Sequence, residues 1–443
     1  MAESDATQSD VGIIGLDFIG RDAALLLAEQ DFNVAAYDWE PHKKRALREQ
    51  TAGPRVQLVG DISGLMAKLR RPRNILVFSN AKSPMSLVLD QMLPELEVGD
   101  LLMDAGDSCF QDTAKHHGHL AEGGIEFLGI GLAGGSIGAR HGAIVMAGGG
   151  RYARERTRPL LEAMAATVRG EPSVSYFETP AAAHFVKSCH AGVEYALLQL
   201  LSETFDLLHR ALLFSNKELH DAAGERHLGV LNGYLTEISG RVFEPAGKQI
   251  PRLLLEERLK FARNDPHGKW VVQSACELDV IIPTIEAAVA TPPAPGTERR
   301  QTLLAAPFRQ PVGRFGDDPR SVLDELHRAL QAAMMITYAQ GVALLMAASQ
   351  QWSFRFKLHE ITRAWRGCTH LRTPMLDDIT TALQRTPNLP GLLSDDDLSE
   401  ESSWPARRTC ATLSGAPTSL MRASRLYRLR WITSMPTEKR GCQ

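Results

Sequence analysis

An excess of charge of either sign is missing: 49 Lys and Arg face 52 Asp and Glu, a net of −3. No overall field therefore recommends a nucleic acid or an anionic membrane as partner. Cysteine is sparse. Its six positions (Cys109, Cys189, Cys276, Cys368, Cys410, Cys442) form no C-x-x-C pair, which signals neither a zinc site nor a disulfide framework and leaves free structural thiols as the plain reading. No stretch reaches the roughly 18 uninterrupted apolar residues of a membrane span, and the opening MAESDATQSD has no apolar leader core. The expectation is a soluble, cytoplasmic protein that handles small molecules without a metal, a nucleic acid or a membrane.

What is present is organised in two styles. From Val11, short apolar runs (VGIIGL, NVAAYD, NILVFS, LLMDAG) alternate with helical stretches such as RDAALLLAEQ, a βαβ signature. Runs without polar alternation suit strands covered on both faces, so residues 11–180 are expected to form a parallel, doubly wound sheet. After Pro180, long segments carry apolar residues at three- and four-residue spacing with little Gly or Pro, which predicts an all-helical domain over 181–400. ATPPAPGTERRQ, from Ala290 to Gln301, reads as a loop or strained crossover between helices. The last part, 401–443, follows acidic SDDDLSEE and contains basic MRASRLYRLRW, and reads as a divergent tail that is either weakly ordered or partner-dependent. The fold class is an α/β Rossmann-type dinucleotide-binding domain followed by an all-α domain.

Gly15-Leu16-Asp17-Phe18-Ile19-Gly20 stands where the first strand hands over to the first helix. There a dinucleotide pyrophosphate meets helix-terminal N–H groups, although an ordinary βα turn has the same two glycines. The middle position calls for a small residue; Asp17 places a carboxylate beside an anionic site instead. About twenty residues on, Asp38 is either a solvated strand-end carboxylate or the acceptor for adenine-ribose hydroxyls, the latter favouring NAD over NADP.

His184 to Tyr195 reads as one helix with Lys187, His190 and Glu194 at i, i+3 and i+7, hence on one face. Such a set is either a salt-bridged stripe or a proton-transfer site, a lysine taking a hydroxyl proton and a carboxyl returning one. Upstream, Gly131–Arg140 and Ala147–Gly150 read as glycine loops, either structural turns or cradles that bring N–H groups to an anionic substrate.

These residues resemble the 6-phosphogluconate dehydrogenase family over nearly the whole length. The resemblance is carried by GLDFIG, MDAGDSCFQDT, GLAGGSIGARHG, HFVKSCHAGVEY, GKW, ITYAQG and AWRGC. It implies an NADP- or NAD-linked oxidation of 6-phosphogluconate at C3, loss of carbon dioxide and protonation of the enediol to ribulose 5-phosphate. It implies Lys187 as general base, Glu194 as acid, and Gly134, Gly135, His190 and Tyr195 as substrate contacts. Gly15, Gly20 and Asp38 would hold the cofactor, with a helical domain that makes a homodimer.

The chain departs from the pattern at identifiable positions. Ala133 and Ala191 stand where the family has Ser and Asn, and Asp107 where it has Asn. Asp265 and Thr291 replace a Lys and an Arg that bind the substrate phosphate. Asp38-Trp39-Glu40 replaces the Asn-Arg-Thr of the NADP phosphate site. The Arg and His that the family's tail contributes to the substrate site have no counterpart in the Thr437–Gln443 ending, so a catalytically impaired relative, or one acting on a non-phosphorylated 3-hydroxy acid, is the rival expectation.

Overall fold

The computed structural model describes residues 8–50, 53–80, 83–211, 213–215, 217–218, 266–290, 319–367 and 371–401. Asp265, Thr291, most of the Ala290–Gln301 loop and nearly all of the 401–443 tail lie outside the described residues.

The apolar runs read from the sequence become β1 (Val11–Ile14), β2 (Val34–Tyr37), β4 (Asn74–Val77) and β5 (Leu101–Asp104). With β3 (Val56–Leu58), β6 (Glu126–Ala133), β7 (Ile144–Gly149) and β10 (Val174–Phe177), they form an eight-stranded sheet of order β10-β7-β6-β5-β4-β1-β2-β3. A two-stranded ribbon of β8 (Thr167–Val168) and β9 (Glu171–Pro172) precedes β10.

The helices between them are α1 (Phe18–Glu29), α2 (Pro41–Gln50), α3 (Ile62–Lys68), α4 (Met85–Met92), α5 (Phe110–Glu122), α6 (Gly135–His141) and α7 (Arg151–Ala163). They cover both faces. Val11 and Ile13 pack into one apolar cluster with α1 and α7, while Ile14 packs into another with α3 and α4. A strand buried on both sides has no reason to alternate with polar residues, which is why VGII reads as unbroken apolar sequence.

One pairing departs from the all-parallel expectation. β6 and β7 run antiparallel, and β10 joins β7 parallel, so the last two strands point against the rest. The short α6 between β6 and β7 turns the chain back instead of carrying it across a sheet face. The Ala147–Gly150 run is also strand up to Gly149, not loop.

The described helices that follow are α8 (Pro180–Ala211), α9 (His267–Glu277), α10 (Pro283–Val289), α11 (Pro319–Gln351), α12 (Leu358–Trp365), α13 (Met375–Arg385) and α14 (Asp396–Glu401). The chain divides into two compact units, Met1–His190 with Ala348–Arg372, and Ala191–Ala347 with Thr373–Gln443. The return segment belongs to the sheet unit for a packing reason. Trp352, Phe354 and Phe356 alternate along an extended stretch and meet Phe185 at ring-centroid distances of 5.2, 5.8 and 6.3 Å. Phe110 stands 4.8 Å from Trp352, and the Ser175 hydroxyl donates to the Glu360 carbonyl.

In the other unit, Gln340 of α11 donates to the Thr284 hydroxyl at 2.8 Å and accepts from the Thr284 N–H at 3.1 Å, pinning the start of α10. Val322–Gln351 of α11 is long and apolar enough to cross a membrane by length and composition, but most of it is buried as a core helix.

Candidate functional site

β1 ends where the sheet order switches direction between β1 and β4, the position at which open α/β sheets bind ligands. The turn there depends on its two glycines. Gly15 has φ of 93°, and a Cβ on it would fall 2.4 Å from the Phe78 carbonyl oxygen, while one on Gly20 would fall 2.0 Å from the Gly15 carbonyl oxygen. Helix and strand can approach this closely only without side chains, so the backbone fits a dinucleotide turn.

Asp38, 2% exposed, accepts from the Leu16 N–H at 2.7 Å and the Glu40 N–H at 2.8 Å. Its carboxylate therefore ties the turn after β1 to the turn after β2, a role sequence reasoning did not assign. The neighbouring Trp39 donates its indole N–H to Gln91.

Along α8, every residue from Ala181 to Leu197 is buried except Lys187, Glu194 and Tyr195. Those three keep access to solvent on a stretch of helix that otherwise serves as core. Lys187 and Glu194, seven residues apart, lie about 20° apart around the helix axis and roughly 10 Å along it. His190 is fully buried, its ring edge-on to Trp365 at 5.5 Å. Gly134 and Gly135 open α6 with φ of 121° and 59°. A Cβ built on Gly135 would meet nothing within 4 Å, leaving the backbone there accessible.

Lys187 is held by what surrounds it. A Cβ on Gly131 would lie 2.8 Å from the Lys187 Cβ, and one on Gly148 would lie 2.1 Å from the Thr179 carbonyl oxygen. Glycines on β6 and β7 thus let α8 and its entry lie directly on the sheet. One turn before Lys187, His184 is buried; its Nε2 is 3.1 Å from the Asp104 carbonyl and its Nδ1 is 2.7 Å from the Thr113 hydroxyl. A carbonyl only accepts, so Nε2 carries the proton and donates, and Nδ1 faces the Thr113 hydroxyl, whose single proton also has the Cys109 carbonyl as an acceptor at 3.0 Å. This clamp joins β5, α5 and α8 and was missed from the sequence, where His184 is one polar residue in an apolar helix.

Comparison with known proteins decides the family. Residues 10–173 match the NAD binding domain of 6-phosphogluconate dehydrogenase, and residues 183–435 match its C-terminal domain. The chain belongs to the 6-phosphogluconate dehydrogenase family. It is 33% identical over 393 residues to the NADP(+)-dependent, decarboxylating enzyme of Bacillus subtilis, covering 88% of this chain and 83% of that one. To the decarboxylating enzyme of Candida albicans it is 32% identical over 424 residues, covering 94% and 82%. The solved structure of Plasmodium falciparum 6-phosphogluconate dehydrogenase, determined apo and in complex with NADP+ and with 6-phosphogluconate, superposes with a TM-score of 0.84. That match is at 26% identity and covers 97% of this chain and 94% of that one.

Within this family frame the departures acquire positions. Ala133, at the end of β6, is 1% exposed and Ala191, on α8, is 2% exposed, so neither offers a polar atom beyond its backbone. Asp107 is exposed in the loop between β5 and α5. Tyr195 packs its ring over Gly268 of the GKW motif, where a Cβ would stand 3.2 Å from Tyr195 Cε2.

Proposed function

We propose that this chain is a decarboxylating 6-phosphogluconate dehydrogenase whose proton transfers are carried by Lys187 and Glu194, and which works with NAD in preference to NADP. The observation that carries the reading is the burial pattern of α8, which leaves Lys187, Glu194 and Tyr195 accessible among buried neighbours, in a chain whose family membership spans both domains.

In this reading Lys187 takes the proton of the C3 hydroxyl. A bound dinucleotide supplies the hydride acceptor. Carbon dioxide then leaves the 3-keto acid, and Glu194 delivers a proton to the resulting enediol, giving ribulose 5-phosphate. Gly134, Gly135 and Tyr195 hold the sugar acid, while His190, expected from the resemblance to join them, is fully buried against Trp365 and supports α8 instead; Gly15, Gly20 and Asp38 form the cofactor turn. Asp38 acts by bracing that turn, so the preference for NAD rests on Asp17 and Glu40, whose carboxylates oppose an extra phosphate. Residues 11–180 form the cofactor domain, joined in its compact unit by the start of α8 to His190 and by Ala348–Arg372, and the rest of 181–400 forms the helical domain of a cytoplasmic homodimer, with 401–443 as its tail.

The replacement of a Lys by Asp265 and an Arg by Thr291 favours a second reading, a relative impaired toward phosphorylated substrate or acting on an unphosphorylated 3-hydroxy acid. The deciding experiment follows nicotinamide reduction and carbon dioxide release with 6-phosphogluconate, gluconate and short 3-hydroxy acids, each with NAD and with NADP. Coupled reduction and release with 6-phosphogluconate supports the first reading. Turnover only with the unphosphorylated acids, or none at all, overturns it.

A further inference from the structure

Asp17 holds the N-cap position of α1 but makes no capping hydrogen bond, although Asp is among the best residues for that bond. Its carboxylate is drawn elsewhere. Oδ1 stands 2.8 Å from the Lys43 ammonium, and Oδ2 accepts from the Asn80 side-chain amide at 2.6 Å. Lys43 is also 2.8 Å from Glu40 and 3.8 Å from Asp38. Burial alone would lower its pKa, but the hydrogen bonds with Asp17 and Glu40 outweigh this and hold the ammonium above the usual lysine range.

Among the described residues, His42 stands 3.5 Å from Glu40, and two other cations are engaged elsewhere. Lys44 reaches the Gly60 carbonyl and the Tyr37 ring, and Arg21 pairs with Asp22 and covers the Phe18 ring. Among the described residues, Lys43 is thus a lysine held beside the end of β2, where the adenosine ribose of a dinucleotide lies in this fold and where a 2′-phosphate needs a positive partner.

We propose that Asp17 is a specificity-determining residue which holds Lys43 in an internal ion pair and so withholds it from the 2′-phosphate of NADP. The proposal rests on the dinucleotide reading above. NAD, which has no 2′-phosphate, asks nothing of Lys43 and leaves the pair intact. NADP must either displace Asp17 or set its phosphate against Asp17 and Glu40. The Asp17 side chain is 47% exposed against 15% for Lys43. The carboxylate is therefore the partner able to swing out, from a pair that solvent screening keeps weak.

The test is calorimetric titration of NAD and NADP into the cofactor-free protein, which requires no turnover. Asp17→Ala is expected to tighten NADP binding by roughly tenfold, the worth of one charge-assisted contact, while NAD changes by much less. Adding Glu40→Gln enlarges the gain for NADP, and adding Lys43→Met removes it. Asp17→Asn, which keeps the shape and the Asn80 contact, serves if the alanine variant folds poorly, as judged by circular dichroism. Equal tightening of both dinucleotides means that Asp17 only repels the shared diphosphate, which sinks the proposal and leaves the cofactor site standing. A gain for NADP that survives Lys43→Met also sinks it. If wild type and variants bind neither dinucleotide, the cofactor reading itself fails and the proposal with it.

Discussion

Lys187 rests on Gly131: a Cβ added to the glycine would stand 2.8 Å from the Lys187 Cβ and 3.0 Å from the Ala183 carbonyl oxygen. Both distances are shorter than ordinary packing permits, so any side chain at residue 131 must lift α8 from β6. Gly131→Ala is expected to cost about 1–3 kcal/mol of stability, the usual range for overpacking. It should also lower kcat through displacement of the lysine. Urea denaturation and steady-state kinetics check this, and an unchanged midpoint would mean that the helix does not bear on the strand.

Replacing Lys187 by Met keeps the length and apolar stem of the side chain and removes the base. Turnover should fall by roughly 10²–10⁴-fold, the range of general-base contributions, with the fold intact by circular dichroism. Near-normal turnover would remove the catalytic role given to α8.

His184 is expected to act with Thr113 as one clamp. His184→Phe preserves a ring of similar size but removes the donor to the Asp104 carbonyl and one partner of the Thr113 hydroxyl, which keeps the Cys109 carbonyl, at a cost of about 1–3 kcal/mol. Thr113→Val should cost less. The double variant should fall short of the sum by about 0.5 kcal/mol or more, measured from unfolding free energies. Strict additivity would show that the two side chains do not share a bond.

The phosphate end of the substrate offers a gain-of-function check. Asp265→Lys with Thr291→Arg should raise kcat/KM for 6-phosphogluconate more than for gluconate, because only the phosphate can use the new charges. Each restored charge-assisted contact is worth roughly 1.5–3 kcal/mol. Equal improvement with both substrates would assign the phosphate to other residues.

Local sequence determined the elements and the family. Unbroken apolar runs marked strands covered on both faces, the glycine turn marked the handover from β1 to α1, and the spacing in His184–Tyr195 placed Lys187 and Glu194 on one helical face. These features follow from backbone periodicity, which neighbouring residues set. Only the tertiary structure decided matters that depend on residues far apart in the chain. It gave β7 and β10 their reversed direction and brought Trp352, Phe354 and Phe356 back onto Phe185. It turned Asp38 toward the N–H groups of Leu16 and Glu40 and joined Asp17 to Lys43 across 26 positions of sequence (43 − 17). A carboxylate reads the same in sequence whether it will face a ribose, a backbone N–H or an ammonium. The partner is set by which distant segments the packing of the sheet brings alongside it.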